Sequence, residues 1–532
     1  MAYTFFINGK FYIESGKFEE AVMVKDGIFI KIGKNDEILQ NATPDSKIID
    51  LKGHTVLPGF NDSHLHLYHT GVVLDSLKLD DCFSVSECIE KGREYIEKNR
   101  ISKDKPIYAF LWNNEKFIGE NRFLNKQDLD KISENNPIIA YRMCHHVASC
   151  NTAALALAKN VGIFKDLPED GIFFEDDVAY LNYFADYTSV EDKAQILKLA
   201  MTYATKHGIT SVQPNDIRDK NAYDILNAYD ILYISNIASV RTYHQCCFTK
   251  TDLFHEFLAK GYMTGKGDNK HKIGPLKLFA DGSLGARTAA MRRAYKDAPN
   301  TKGVLNYTQE GLNEYVRLAD NAKMSCVIHA IGDAAMDMVI TAYENVINDE
   351  NKLRHGIIHC QITDNILLYR MAQSGILALV QPIFLQSDID IIKDRVGEKM
   401  ASTSYAFSKM DKLGIHTSYS TDSPIEHINP MLNIHCAVNR QNFEHKPDGG
   451  YYATECVSIE QAIDNYTIAG AYASFEENAK GRIQLGFLAD MCVLDKDIFS
   501  VPKSEIIDIQ VDLTILDGKV AYSRNGKIDE YL

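Results

Sequence analysis

The chain has 532 residues, of which 45% are hydrophobic and 24% are charged, and this composition excludes an intrinsically disordered protein. The formal net charge of −15 disfavours nucleic acids and anionic membranes as main partners, because both repel an acidic surface. Small neutral or cationic substrates remain compatible with this charge. The length predicts roughly two to four packed units.

The cysteines and the N-terminal residues indicate the cellular compartment. The chain contains 11 cysteines, an odd number without a Cys-x-x-Cys pair, which is typical of reduced thiols packed in a core. The first residues, MAYTFFINGKFYIESGK, lack the basic and apolar regions of a signal peptide. No segment approaches the roughly 18 apolar residues that cross a bilayer. We therefore expect a cytoplasmic protein.

Both ends of the chain show β-strand patterns. Residues 1–57 and 480–532 alternate short β-like runs with glycine-containing turns. Asp26-Gly27 and Asp517-Gly518 are typical of hairpin turns, because these residues tolerate positive φ angles. These patterns predict one small sheet domain that is assembled from residues 1–57 and 480–532.

The middle of the chain, residues 58–479, alternates apolar strands with helical patterns, which is typical of a parallel sheet. Eight strands are the number that a (β/α)8 TIM barrel needs. Residues 68–200 are too long for one barrel loop and contain helical patterns of their own. They predict an inserted helical subdomain after the first barrel strand. The eight candidate strands are VLPGFNDSH, GITSVQPN, IASVRTYH, LKLFADGS, SCVIHAIGD, HGIIHCQ, ILALVQPI and IHTSYSTD.

His64 and His66 end the first of these strands. In a strand, residues i and i+2 point to the same side, so both imidazoles can face one metal ion. Such a pair is, by itself, more often an ordinary pair of polar residues. Its position at the carboxyl end of a barrel strand, where barrel active sites lie, favours a metal site.

Three further candidate ligands follow other predicted strands: His329, His359 and Asp422. A lone histidine in an apolar run is usually a hydrogen-bonded core residue. Recurrence at the ends of four separate strands instead favours one shared site. Three or four nitrogen and oxygen ligands with open positions are typical of catalytic zinc, although manganese, iron or nickel suit the same ligands.

Lys277 allows two interpretations. Its ammonium group can extend to water from a buried stem. Alternatively, a lysine inside the barrel loses its proton readily and can take up carbon dioxide as a carbamate that bridges two ions. In metal-assisted hydrolysis, Asp422 would take a proton from the attacking water and pass it to the leaving nitrogen. The chain has no Gly-x-Ser-x-Gly motif, phosphate-binding loop or dinucleotide motif.

Six segments resemble the amidohydrolase superfamily, and more narrowly the amidohydrolase family 3 branch that includes N-substituted formamide deformylases. They span most of the chain in a specific order. The segments are LPGFNDSHLH (57–66), LKLFADGSLGARTAA (276–290), IHAIGDAAMD (328–337), RHGIIHC (354–360), STDSPIEHINP (420–430) and KGRIQLGFLADMCVLD (480–495).

The resemblance implies a TIM barrel, a composite β-sandwich from both termini and an insertion after strand one. It also implies one or two zinc ions and a homodimer. Asp422 would serve as both ligand and general acid–base, and Lys277 as a carboxylated bridging ligand. The implied metal ligands are His64, His66, Lys277, His329, His359 and Asp422. The expected substrate-binding residues are Trp112, His146, Asp281 and Arg287.

The chain departs from the branch pattern at three places. Asn113 replaces the aspartate of the usual Gly-Trp-Asp element, and Cys144-His145-His146 replaces Asp-Gly-His. Ile358 replaces the usual acid before His359. These changes leave the predicted metal ligands intact but put the usual substrate contacts in doubt.

The predicted function is metal-dependent hydrolysis of a non-peptide C–N bond in a small amide or formamide. One alternative is a deaminase of an amino-heterocycle. Such deaminases usually carry a glutamate three residues after the strand-five histidine, where this chain has Gly332 followed by Asp333. The other alternative is a non-catalytic barrel, against which the intact set of predicted ligands argues.

Overall fold

The structure is a computed structural model. It describes residues 3–143, 147–161, 166–174, 178, 181, 189–526 and 528–531. Two compact units divide the chain: residues 1–67, 201–226 and 232–532 form the first, and residues 68–200 and 227–231 form the second. The terminal sheets and the barrel belong to the same unit.

The strands of the described residues are numbered here in chain order. They are β1 Thr4–Ile7, β2 Lys10–Glu14, β3 Lys17–Glu19, β4 Ala21–Lys25, β5 Ile28–Gly33, β6 Lys47–Asp50, β7 Thr55–Pro58, β8 Phe60–Leu65, β9 Leu77–Lys78, β10 Ile107–Trp112, β11 Ile138–Arg142, β12 Val147–Cys150, β13 Ile172–Phe174, β14 Ile209–Pro214, β15 Ile217–Arg218, β16 Arg241–Cys247, β17 His271–Phe279, β18 Cys326–Ala330, β19 Gly356–His359, β20 Leu377–Val380, β21 Thr417–Tyr419, β22 Met491–Leu494, β23 Val511–Leu516 and β24 Lys519–Ser523.

The helices alternate with the strands of the barrel, and further helices belong to the second unit. The described α-helices are Asn35–Leu39, Leu67–Leu74, Val85–Asn99, Lys126–Asp130, Thr152–Val161, Val190–Lys206, Ala222–Ile234, Thr251–Ala259, Gln309–Asn321, Asp333–Glu344, Asn365–Ser374, Leu385–Asp388, Ile392–Val396, Glu398–Ala401, Phe407–Lys412, Pro430–Asn439, Ile459–Asn465, Ile468–Ala473 and Ile528–Tyr531.

Eight parallel strands form the barrel in the order β8, β14, β16, β17, β18, β19, β20 and β21. They coincide with the eight candidate strands, so the predicted (β/α)8 barrel is confirmed. The first candidate strand is in fact two strands: β7 ends at Pro58 in a terminal sheet, and β8 begins at Phe60 in the barrel. Gly59 lies between the two strands. A larger residue does not fit there, because a Cβ atom would lie 2.2 Å from the Thr210 side chain.

The seam between β8 and β21 closes the barrel without a regular ladder. The Ser63 hydroxyl donates to the Tyr419 carbonyl at 2.9 Å. Beyond the strand end, the Asp422 amide donates to the His64 carbonyl at 2.9 Å. The buried Asp62 carboxylate accepts hydrogen bonds from the amide and hydroxyl of Thr421 at 3.2 and 2.5 Å. Strands that are distant in sequence are thereby held together at the predicted ligands.

The two ends of the chain form the predicted β-sandwich. A six-stranded sheet has the order β24, β23, β22, β7, β2 and β3, and a four-stranded sheet has the order β5, β4, β1 and β6. Strands β7 and β22 pair antiparallel, which joins the N-terminal and C-terminal segments. Alternating apolar residues from both ends share one core, which includes Phe6, Phe11, Val22, Val24, Val56, Met491, Val493, Leu513 and Ile515.

The second unit contains a sheet that the sequence analysis missed. Its five strands have the order β13, β12, β11, β10 and β9, whereas the prediction for residues 68–200 was a helical subdomain. Strands β10 and β11 are short apolar runs with sequences IYAFLW and IIAYR. Such runs lack the alternation that distinguishes a strand from a buried helical segment.

The described cysteines are all unpaired, and all of them except the partly exposed Cys456 are buried. Among the described residues, none of the helices has the length and apolar character that crossing a bilayer requires.

Arg241, at the start of β16, links the barrel to the terminal sheets. Its guanidinium is 2% exposed and donates to both oxygens of the Asp490 carboxylate at 2.6 and 3.0 Å. It also pairs with Asp517, in the turn before β24. Although burial disfavours a charged guanidinium, the two carboxylates raise the pKa of Arg241 above its usual value.

We expect Arg241→Met to lower the free energy of unfolding by about 3–5 kcal/mol, because the buried Asp490 carboxylate loses its partner. The measurement is urea denaturation followed by circular dichroism. Lys446→Met is the matched control, since the Lys446–Asp448 pair is exposed and such pairs contribute about 0–1 kcal/mol. Equal effects of the two substitutions would contradict the role of Arg241.

Candidate metal centre

His64, His66 and Asp422 converge at the carboxyl end of the barrel. Among the described residues, their ligand atoms form a group in which all lie within 4.8 Å of one another. The Asp422 Oδ1 atom is 3.2 Å from Nε2 of both His64 and His66. This oxygen is buried and receives no well-aligned hydrogen bond from any described residue. An orphaned carboxylate oxygen between two imidazole nitrogens fits a bound cation.

Local backbone geometry directs Asp422 toward the two histidines. The residue follows β21 and has a φ angle of 57°, a left-handed conformation that non-glycine residues seldom adopt. Such a conformation costs of order 1–3 kcal/mol and persists only where surrounding contacts fix it. The contact of the Asp422 amide with the His64 carbonyl is one of these contacts.

The protonation states of His64 and Asp422 suit a divalent metal. Burial lowers the pKa of His64 to about 4, so its imidazole is neutral at pH 7. Burial favours a neutral Asp422, but its contacts with His64 and His66 outweigh that effect and hold its pKa well below the usual value. Neutral imidazoles and an ionised carboxylate are the forms that bind metals.

Two glutamines orient histidines of the site. The Oε1 atom of Gln245, on β16, accepts a hydrogen bond from His64 Nδ1 at 2.6 Å. Gln381 Oε1 lies 2.7 Å from His359 Nδ1 in the same way. An acceptor on Nδ1 keeps the proton there and leaves the lone pair of Nε2 for a metal.

His329 and His359 form a second pair beside the first group. His359 Nε2 lies 2.9 Å from His329 Nδ1, and the His359 ring centroid is 5.9 Å from that of His64. His359 has a φ angle of 78°. The two histidines come from the ends of β18 and β19 and lie outside the tight group of three.

Lys277 lies inside the barrel on β17. Its side chain is fully buried, its Nζ is 3.9 Å from the centroid of the Phe279 ring, and its hydrogen bond to the Leu278 carbonyl is long at 3.4 Å. Burial lowers its pKa to about 7. The interpretation in which the ammonium group reaches water is therefore wrong.

The expected substrate contacts occupy other environments. Trp112 is fully buried in the core of the second unit and donates to the Ala140 carbonyl at 3.0 Å. Trp112 offers no surface to a substrate, because its ring fills this core and its indole N–H already has an acceptor. Arg287 pairs with Asp297 at 2.8 Å on the surface. His146 lies outside the described residues.

Asp281 is a buried anchor for backbone rather than an open carboxylate. Its oxygens accept hydrogen bonds from the amides of Ala290, Ile331 and Gly332 at 2.8, 3.1 and 2.8 Å. The loop after β17 is thereby joined to the loop after β18, which carries His329. Three amides occupy the carboxylate, and His329 Nε2 lies 3.4 Å from its Oδ1 atom. Asp281 therefore supports the loop structure, and its expected role in substrate binding stays a prediction.

Sequence reasoning missed the residues that surround the predicted ligands. Gln245 and Gln381 are ordinary polar residues in the sequence, and only the barrel register brings them to the histidines. Phe384 stacks on the His359 ring with centroids 5.6 Å apart. The other missed residues are Phe279 and Arg218, which lies 3.1 Å from His66.

Comparison with known proteins agrees with this geometry. The sequence profile of the amidohydrolase family matches residues 47–522. The chain belongs to the amidohydrolase family.

Relatives and solved structures extend over nearly the whole amidohydrolase chain. YtcJ of Bacillus subtilis (strain 168) is 29% identical over 96% of this chain and 98% of its own. The N-substituted formamide deformylase of Arthrobacter pascens is 26% identical over 95% of each chain. The structure of an uncharacterized metal-dependent hydrolase from Pyrococcus horikoshii OT3 has a TM-score of 0.82 at 28% identity, covering 94% of this chain and 99% of its own.

We expect Gln245→Leu to weaken metal binding roughly 10- to 100-fold, because His64 loses the acceptor that fixes its tautomer. The measurement is competition for zinc with a chromophoric chelator. Gln213→Leu is the matched control: this buried glutamine of β14 donates to the Gly470 carbonyl at 2.9 Å. A similar loss of affinity in both variants would show a general effect on the barrel.

Proposed function

We propose that this amidohydrolase cleaves the C–N bond of a small N-acyl or N-formyl amine by metal-dependent attack of water. The observation that carries the proposal is the group formed by His64, His66 and Asp422 at the carboxyl end of the barrel. Catalytic sites of TIM barrels lie at that end. The similarity to the formamide deformylase of Arthrobacter pascens supports this type of bond.

The predicted ligands would hold zinc or another divalent transition metal. Imidazole and carboxylate ligands suit zinc, manganese, iron and nickel alike. A bound ion of this class supplies an acidified water and polarises a carbonyl oxygen. The metal-binding role belongs to His64, His66 and Asp422, with His329 and His359 beside them.

Asp422 is the residue proposed to move protons. Its ionised carboxylate accepts a proton from water as the water oxygen bonds to the carbonyl carbon. It then donates that proton to the nitrogen as the C–N bond breaks, yielding a carboxylic acid and an amine. Burial of Asp422 excludes bulk water, which would otherwise compete for the proton.

The deaminase alternative lacks its usual acid. A Cβ atom on Gly332 would lie 2.0 Å from the Ala290 carbonyl oxygen, so this position has no room for a glutamate side chain. The next residue, Asp333, is buried and accepts a hydrogen bond from the Arg292 amide at 2.9 Å. Neither residue favours protonation of a ring nitrogen.

Lys277 bears on whether one or two ions bind. We infer that its amine takes up carbon dioxide: the nitrogen bonds to the carbon, a proton leaves, and the resulting carbamate presents two oxygens. A buried nitrogen with only one long hydrogen bond among the described residues supports this modification. His329 and His359 would then complete a second ion site.

The proposed function predicts turnover of formamides or N-acyl amines that stops on metal removal and returns with zinc. Elemental analysis accompanies a screen of formamides, N-acyl amines, dipeptides and amino-heterocycles. Asp422→Asn should lower the rate at least about 100-fold, while the exposed Asp448→Asn leaves it unchanged. Strong ammonia release from heterocycles, or a wild-type rate in Asp422→Asn, would contradict the proposal.

The carbamate predicts a distinct spectroscopic signal. Protein equilibrated with ¹³C-bicarbonate should show a carbamate carbon resonance by NMR, and Lys277→Ala should lack it. The metal content should fall from two ions per chain to one in Lys277→Ala, because the bridging oxygens are lost. Two ions in both proteins, with no carbamate signal in either, would refute the modification.

A further inference from the structure

Arg218 ends the short strand β15, beside the proposed metal ligands. Its side chain is exposed, and its Nη2 atom lies 3.1 Å from Nδ1 of His66. Its Nε donates to the Asn215 carbonyl at 3.3 Å. The centre of the guanidinium is 5.6 Å from the centroid of the Phe279 ring. The cation thus stands at the edge of the metal centre, next to an aromatic face.

No carboxylate among the described residues pairs with Arg218. Neighbouring Asp219 is directed instead to Thr249, whose amide and hydroxyl donate to it at 2.9 and 3.0 Å. By contrast, Arg241 and Arg287 each pair with an aspartate at 2.6–2.8 Å. Arg218 therefore differs from these two arginines, because no carboxylate of the described residues neutralises its charge.

The contact with His66 places Arg218 against a proposed metal ligand. Its guanidinium is always a donor, and its Nη2 atom lies 3.1 Å from Nδ1 of His66. A substrate oxygen bound by this guanidinium would therefore lie beside the proposed metal centre.

The charge at this end of the barrel points to an anion as well. Asp62 and Asp281 are engaged by hydrogen bonds from the surrounding chain. This leaves the buried Asp422 as the carboxylate whose Oδ1 atom faces the two histidines. The single negative charge of Asp422 does not balance the positive charges of a divalent cation and of Arg218. A substrate with one negative charge would improve this balance. The net charge of −15 is an average over the whole chain and does not describe this local excess.

We propose that Arg218 binds a carboxylate on the substrate, so that the substrates are N-acyl or N-formyl amines that carry one carboxylate. A planar guanidinium matches a carboxylate through two parallel hydrogen bonds. A phosphate with two charges would call for a further cation. The face of Phe279 would contact the apolar carbons between the carboxylate and the amide. This inference rests on the proposed function, of which it names the substrate class.

The kinetic test compares matched substrates. N-formylglycine, N-formyl-β-alanine and N-formyl-γ-aminobutyrate are each assayed against the corresponding carboxamide, which has the same shape without the charge. We expect at least one acid to have a kcat/KM about 10- to 100-fold above that of its carboxamide. Arg218→Gln should abolish this preference, so that the kcat/KM values of each acid and its carboxamide differ by less than about threefold. Equal values for acid and carboxamide throughout the series would overturn the proposal.

A binding test separates this inference from the proposed function. Glutarate, a substrate-sized dicarboxylate that cannot be hydrolysed, is titrated calorimetrically into the zinc-loaded protein. Arg218→Gln should weaken glutarate binding about 10-fold or more, with an unchanged zinc content. Arg218→Lys should bind with intermediate affinity, because it keeps the charge without the planar fork.

Arg317→Gln is the control variant for the titration, since Arg317 is an exposed arginine of the helix Gln309–Asn321. Glutarate binding that is lost with the metal but unchanged in Arg218→Gln would overturn the inference. If none of the N-formyl or N-acyl amines is hydrolysed, the proposed function fails, and the glutarate titration still decides the role of Arg218.

Discussion

The hydrogen bonds across the β8–β21 seam hold the first and last strands of the barrel together, and the geometry of the candidate metal centre depends on them. The Asp422 amide binds the His64 carbonyl, and the Asp62 carboxylate binds Thr421. Burial raises the pKa of Asp62 to about 7, against the effect of these hydrogen bonds. The seam therefore combines a costly buried carboxyl group with contacts that align residues 64 and 422, which are far apart in the chain.

The two kinds of candidate ligand at this seam have different charge states, although burial favours the neutral form of both. Burial keeps the imidazole of His64 neutral, whereas contacts with His64 and His66 overcome its effect on Asp422 and keep that carboxylate charged. Gln245 and Gln381 then fix the ring nitrogens that carry protons. The surrounding polar groups thus prepare the ligand set before any ion arrives.

The structure separates residues that support the site from residues that can recognise a substrate. Asp281 is occupied by three backbone amides, and Trp112 is enclosed in a core. Arg218 and Phe279 lie instead beside the candidate ligands, where a guanidinium that pairs with no carboxylate of the described residues adjoins an aromatic ring. The proposed substrate contacts, Arg218 and Phe279, were not among the residues expected from the motifs, although Phe279 lies in the segment 276–290.

The sequence by itself determined the eight barrel strands, the pairing of the termini in a sandwich and the positions of the candidate ligands. Local hydrophobic patterns and residues at strand ends carry that information. The tertiary structure alone decided that Gln245 meets His64, that Lys277 is buried and that Asp281 binds backbone. It also decided that β9–β13 form a sheet. These features depend on register and burial across distant segments, which no local pattern encodes.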